Sequence, residues 1–189
     1  MRGRRFFEGL VQKYGLMKVL DAGCGTGFHS ILLAKLGLDV TGIDSSSEML
    51  KKAKETTLEH NVNVRFHQST LQDVSLCMDE RFDAVFCMGN SLPHLLTEGE
   101  AVLSLKNFFN KFNILMVKEN QKGFSHKLIS TDLKPLYHDA LIEWLNLVGF
   151  QNVKAWGSCG PFLPNVPYAG GKPRGSDSVG FSCCEVAHA

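Results

Sequence analysis

Several features are missing from this chain of 189 residues, and each absence removes a class of function. No apolar run approaches the roughly 20 residues that span a bilayer. No charge of one sign dominates: the formal net charge is +1, so there is no electrostatic case for nucleic acid or an anionic membrane as partner. The single basic cluster, Arg2, Arg4 and Arg5, is too short for a binding tail and reads as a solvated terminus. Six cysteines occur at 24, 77, 87, 159, 183 and 184, yet none forms a C-x-x-C pair and none joins histidine at zinc-finger spacing. No metal site is therefore expected, and the thiols should be reduced. The start, MRGRRFFEGLVQKYG, has charge but no long apolar centre, so it does not read as a signal peptide. Phe6, Phe7, Leu10 and Val11 recur instead at helical spacing, predicting a helix over 4–15 that Gly15 ends. A cytoplasmic location is the default expectation.

A hydrophobic content of 44% and a charged content of 21% are ordinary for a globular chain, and the length suits a single domain over 1–189. Apolar bursts and helix-period segments take turns along it. Strands are predicted at 17–23, 39–44, 62–68, 82–88, 113–119, 151–158 and 178–187. Helices are predicted at 28–37, from a Ser45/Glu48 capping box to about His60, from Thr97 to about Phe112, and at 138–150. A polar loop is expected after the third strand, and a surface loop over the Pro- and Gly-rich 160–175. Strand–helix alternation implies an α/β, Rossmann-like doubly wound, mostly parallel sheet with helices on both faces. Ligands of such sheets gather beyond the carboxyl ends of the strands.

The first of those ends carries VLDAGCGTGFHS, residues 19–30. Gly23, Gly25 and Gly27 are spaced G-x-G-x-G, whereas the usual dinucleotide pattern is G-x-G-x-x-G. Bare backbone lets a ligand approach closely, and the helix that follows aims its N–H groups at any anionic part. Asp21 at the mouth would repel a pyrophosphate but suits a ligand bearing positive charge. S-adenosylmethionine, with a sulfonium and an ammonium, is such a ligand; local satisfaction of Asp21 by backbone N–H groups is the competing reading. Asp44 ends the second strand at the offset where an acid accepts hydrogen bonds from both hydroxyls of an adenosine ribose. Helix capping beside Ser45 is the plainer alternative.

Taken together, VLDAGCGTG, VTGIDSSSEML and FDAVFCMGNSLPHL resemble the class I S-adenosylmethionine-dependent methyltransferases. Within them, CMGNSLPHL is similar to the segment after strand four in glycine N-methyltransferase and its small-amine relatives. The resemblance implies a seven-stranded sheet whose last strand is antiparallel, and methyl transfer to a small molecule such as an amine, leaving S-adenosylhomocysteine. It places Asp21, Gly23, Gly25 and Gly27 along the methionine part of the cofactor. Asp44 would hold the ribose, with Ser45 and Met49 beside the adenine edge. Thr70 falls where relatives often carry Asp or Asn near the adenine amino group, and Leu71 where an apolar residue packs on the ring. Met88 would bring its backbone to the methionine end and Ser91 would meet the cofactor's carboxylate or amine. Asn90 and His94 would line the transfer site, Asn90 orienting the substrate and His94 taking its proton.

The chain departs from that family in three places. Only some 17 residues precede the first strand, where relatives carry a covering arm. The segment Glu119 to Leu136 stands where they have a long insertion. Asn120 in KENQKG lies nearest to their substrate-binding arginine. A site with so few lids calls for a partner or second subunit, as in a homo-oligomer, for a large substrate, or for a pocket without turnover. A cofactor-holding module that serves as a sensor or subunit is accordingly the rival reading.

Overall fold

The structure is a computed structural model that describes residues 2–88, 91, 95, 97–111, 114–118, 138–157 and 181–187. Its core is built from β1 (Lys18–Ala22), β2 (Asp39–Asp44), β3 (Arg65–Gln68), β4 (Ala84–Met88) and β5 (Ile114–Lys118). These strands lie side by side, all parallel, in the order β3-β2-β1-β4-β5. The order reverses between β1 and its two neighbours, β2 and β4. That switch point opens a crevice at the carboxyl end of β1, where a doubly wound sheet takes its ligand. Beyond β5 the sheet continues through β7 (Phe181–Ala187) and β6 (Gln151–Gly157), which pair antiparallel.

Alternation along the strands distributes side chains between two apolar layers. Val19, Val40, Ala84, Phe86 and Met88 face one layer, with Phe7 and Leu10 of α1 (Arg2–Tyr14) and Leu33 of α2 (Phe28–Ala34). Leu20, Ala22, Ile43, Val85 and Cys87 face the other. They meet Leu105 and Phe108 of α5 (Glu98–Lys111) and Leu141, Trp144 and Leu145 of α6 (His138–Leu147) there. Phe7 meets Phe86 edge to face at 5.3 Å between ring centroids, which locks α1 onto the centre of the sheet. Truncating a buried ring of that kind costs about 3–5 kcal/mol. The start of β1 is held by Asp83, whose Oδ2 accepts from the backbone N–H groups of Met17 and Lys18, both at 2.8 Å.

The predicted elements recur with shifted ends. Thr97 caps α5 as expected: its Oγ1 accepts from the Glu100 N–H and the Glu100 carboxylate accepts from the Thr97 N–H. The capping box at Ser45 does not form. Ser46 is the N-cap of α3 (Ser47–Glu59), its Oγ accepting from the Met49 N–H. The reason is tertiary: the Ser45 carbonyl accepts from Gln68 and the Ser46 N–H donates to Asp44, so the chain enters the helix one residue later. Strand three begins at Arg65 because its pairing with β2 starts there, opposite Thr41. The loop expected after it contains a short α4 (Val74–Cys77). Leu71, Val74 and Met78, all buried, carry the helical spacing that would have found it. The expected loop at 160–175 lies outside the described residues.

Candidate functional site

The glycine loop leaves β1 in a left-handed path, with φ of +74° at Gly23, +54° at Gly25 and +82° at Gly27. Only glycine takes such values repeatedly without strain. The loop is tied to β2 by its own backbone: Gly23 and Cys24 both donate to the Ile43 carbonyl, at 2.9 and 2.8 Å. Its inner side is closed by Ser91. A Cβ at Gly23 would fall on the Ser91 side chain, whose Oγ donates to the Met88 carbonyl at 3.2 Å and approaches the Gly23 carbonyl at 3.5 Å. A Cβ at Gly25, by contrast, would meet nothing within 4 Å among the described residues. Gly25 is thus the point where the loop faces open space.

Asp44 joins the ends of three strands. Its Oδ2 accepts from the Gly25 N–H at 2.8 Å and its Oδ1 from the Ser46 N–H at 2.9 Å. Its carbonyl accepts from the Ser69 N–H at 3.1 Å. Each carboxylate oxygen so bonded keeps a lone pair for a further donor. The capping alternative is met only in part, since the residue that caps α3 is Ser46.

Asp21 does not stand open at the mouth. It points from β1 toward the α2 layer and is 1% exposed, lying beneath the loop. Its Oδ2 accepts from the hydroxyl of the fully buried Ser30 at 2.6 Å, while Oδ1 has no hydrogen-bond partner among the described residues. Burial is the main cause that pushes its pKa up to about 6; the bonds to Ser30 oppose the shift and the nearby Asp44 adds to it. Burial likewise raises the pKa of the Cys24 thiol far above its usual value and that of Cys87 to about 12, so neither serves as a thiolate nucleophile at neutral pH.

The remaining expected residues divide into three groups. Ser45 and Thr70 line one hollow with Gln68, Ser69 and Asp73, and Met49 is half exposed on the first turn of α3. Leu71 is buried within the apolar layer of α5 and α6, and Met88 within that of α1. Asn90 and His94 lie outside the described residues. Sequence reading passed over Ser30, Ser46, Gln68 and Asp73. The spacing Thr70-x-x-Asp73 was a usable signal for the last, because hydroxyl and carboxylate residues three apart bond across a turn. Among the described residues no cluster of three or more His, Cys, Asp or Glu is arranged to hold a metal ion. Among the same residues no helix is long and apolar enough to cross a membrane.

Residues 19–110 match a family described as a methyltransferase domain. Glycine/sarcosine N-methyltransferase of Aphanothece halophytica is 42% identical over 105 residues, which are 56% of this chain and 40% of that protein. Glycine N-methyltransferase of Rattus norvegicus is 36% identical over 110 residues, 52% of this chain and 38% of that one. The match therefore spans well under half the length of these relatives. Among solved structures, an S-adenosylmethionine-dependent methyltransferase from Clostridium acetobutylicum superposes with a TM-score of 0.70 at 12% identity. It covers 97% of this chain and 88% of its own, and at that identity the likeness speaks for the fold. The glycine loop and the Asp44 junction lie within residues 19–110, and this stretch is a methyltransferase domain of the S-adenosylmethionine-dependent class, similar in sequence to the glycine N-methyltransferases.

Proposed function

We propose that the protein binds S-adenosylmethionine across the glycine loop and Asp44 and transfers its methyl group to a small molecule, an amine by preference. The observation that carries this reading is the Asp44 carboxylate, fixed by the Gly25 and Ser46 N–H groups at the end of β2. Its remaining lone pairs suit the two hydroxyls of a ribose, and its charge disfavours a 2′-phosphate. The donor set fits the rest of the ligand. Open space at Gly25 admits a close approach to backbone. The uncompensated Oδ1 of Asp21 gives the floor of the site a charge opposite to that of a cationic ligand. In a magnesium protoporphyrin IX methyltransferase from Synechocystis, solved with S-adenosylmethionine bound, the same fold recurs with a TM-score of 0.64 at 19% identity, over 99% of this chain and 80% of that one.

Bound there, S-adenosylmethionine supplies a methyl group already activated on a sulfonium. The chain's own task is alignment and exclusion of water, and positioning of this kind contributes roughly 7–11 kcal/mol. Gly23, Gly25 and Gly27 take the methionine part, with the Met88 backbone and Ser91 beside it. Ser45, Met49 and Thr70 border the adenine, and the expected packing of Leu71 on the ring is not part of the reading, because its side chain is buried in the apolar layer of α5 and α6. His94, with a reference pKa of about 6.5, takes the proton that an ammonium substrate must lose, and Asn90 orients the substrate. The names of the amine-methylating relatives support an amine acceptor. A single domain over 1–189 and a complete seven-stranded sheet are part of the same proposal; the antiparallel register of β7 against β5 supports the latter.

Calorimetric titration with S-adenosylmethionine, S-adenosylhomocysteine and NAD tests the reading. Micromolar binding of the first two with none of NAD is the expected result, and no heat from either at millimolar dose ends the proposal. Product formation over a panel of amines, carboxylates and thiols separates an enzyme from a cofactor-holding module. A His94→Ala rate unchanged from pH 6 to 9 would remove the general base.

A further inference from the structure

Across the sheet, Asp21 lies in a row with Gly42 of β2 on one side and Phe86 of β4 on the other. The first has no side chain and the second is a fully buried ring, so neither neighbour in the row offers the carboxylate a side-chain partner. To the same layer α1 brings Phe7 and Leu10, and α2 brings Leu33. His29 of α2 packs on the rings of Phe7 and Phe28. The other titratable groups about Asp21, among the described residues, are Asp44 and the thiols of Cys24 and Cys87, which burial keeps protonated. A carboxylate in such a place is costly to charge. Burial and the like charge of Asp44 both oppose its ionised form, and among the described residues it is Ser30 that favours it. The Ser30 hydroxyl does so in an unusual direction. Elsewhere in the chain helical hydroxyls bond back to their own helix: Ser104 donates to the Glu100 carbonyl and Thr57 to the Lys54 carbonyl, both at 2.8 Å. Ser30 instead reaches across to β1 and donates to Oδ2 of Asp21 at 2.6 Å.

We propose that Ser30 is the positioning residue through which Asp21 tells the sulfonium donor from its neutral thioether product, by holding the carboxylate ionised and fixed beneath the glycine loop. This role rests on the S-adenosylmethionine reading given above and adds to it how the site discriminates donor from product. The two ligands share the adenosine, the carboxylate and the ammonium. They differ by a methyl group and a positive charge on sulfur. An ionised Asp21 attracts that charge in a poorly screened interior, and a protonated one does not. Without the Ser30 hydrogen bond the balance moves to the protonated form, so preference for the donor then requires a higher pH.

Titration calorimetry of the full chain with S-adenosylmethionine and with S-adenosylhomocysteine, from pH 5 to 7.5, tests this role through the ratio of the two affinities. In the wild type the ratio should rise roughly tenfold in favour of the donor as pH passes through about 6. Asp21→Asn, uncharged throughout, should lack that rise and supplies the baseline for titration of the ligands themselves. Ser30→Ala should carry the rise upward by about one pH unit, the scale of one hydrogen bond to a charged group. Ser30→Cys keeps the volume with a weaker donor, should move the rise in the same direction, and gives the answer even if Ser30→Ala does not fold. A packing defect alone would weaken both ligands alike and leave the rise at the wild-type pH; that result in both variants overturns the role of Ser30. A wild-type ratio that does not change with pH overturns discrimination by Asp21. Wild-type protein that binds neither ligand at millimolar concentration overturns the S-adenosylmethionine reading itself.

Discussion

The loop after β1 and the loop after β3 both reach Asp44, one through Gly25 and the other through Ser69, and they are built by opposite means. The first is bare backbone in a left-handed path, closed on one side by Ser91 and open on the other at Gly25. The second keeps ordinary backbone and works through hydroxyls and a carboxylate. A backbone cradle tolerates almost no change, because its shape is its function and any Cβ alters both. A side-chain wall can be re-tuned one residue at a time while the fold holds. The two loops should therefore respond very differently to substitution, and this contrast can be broken or sharpened by measurement.

Gly23→Ala is the harshest test. It adds a methyl group on top of Ser91 at a residue whose φ is +74°. Backbone strain and overpacking together should cost about 3 kcal/mol in denaturant unfolding and abolish cofactor binding. Near-normal stability would show that the β1 loop is more plastic than its geometry implies.

Next comes the buried charge beneath that loop. Native Asp21 holds its proton more tightly than in the unfolded chain, with a pKa of about 6 against 3.8. Its contribution favours the fold below about pH 4 and is lost as pH rises through 6. The loss is on the order of 3 kcal/mol, and Asp21→Asn should erase that part of the pH slope of unfolding free energy. Because a cationic ligand favours the ionised form, wild-type affinity for S-adenosylmethionine should rise over the same interval. A flat profile in the wild type would remove Asp21 from the site's electrostatics.

Asp44→Ala strips the acceptor from two backbone N–H groups and should lower stability by about 2 kcal/mol, with binding of S-adenosylhomocysteine down roughly a hundredfold. The mildest effect on the fold is expected at Gly25→Ala. A Cβ there meets no neighbour among the described residues, so the left-handed φ is what opposes it, at about 1 kcal/mol, while affinity should still fall more than tenfold. An unchanged affinity would mean that the open side of the loop is not where the ligand lies.

Much of this molecule was readable along the chain. Val19 and Leu20 before three closely spaced glycines announced a strand and a tight turn. Thr97 and Glu100 marked the start of α5, and the apolar rhythm of HDALIEWLNL marked α6. Other features escaped. Ser45 and Ser46 are equivalent as cap candidates by local criteria, and the choice between them was made by Gln68, 23 residues from Ser45. Asp21 read as a guard of the mouth because sequence does not say which face of a strand a given layer will cover.

By itself the sequence determined the alternation of elements, the left-handed glycine path and the presence of acids at the ends of β1 and β2, because these follow from local sterics and short-range periodicity. The tertiary structure alone decided the order β3-β2-β1-β4-β5, the burial of Asp21 against Ser30, and the approach of Ser91 to Gly23 across 68 residues of chain. Those outcomes depend on which distant surfaces pack together, and packing is settled by the whole core at once and by no segment alone.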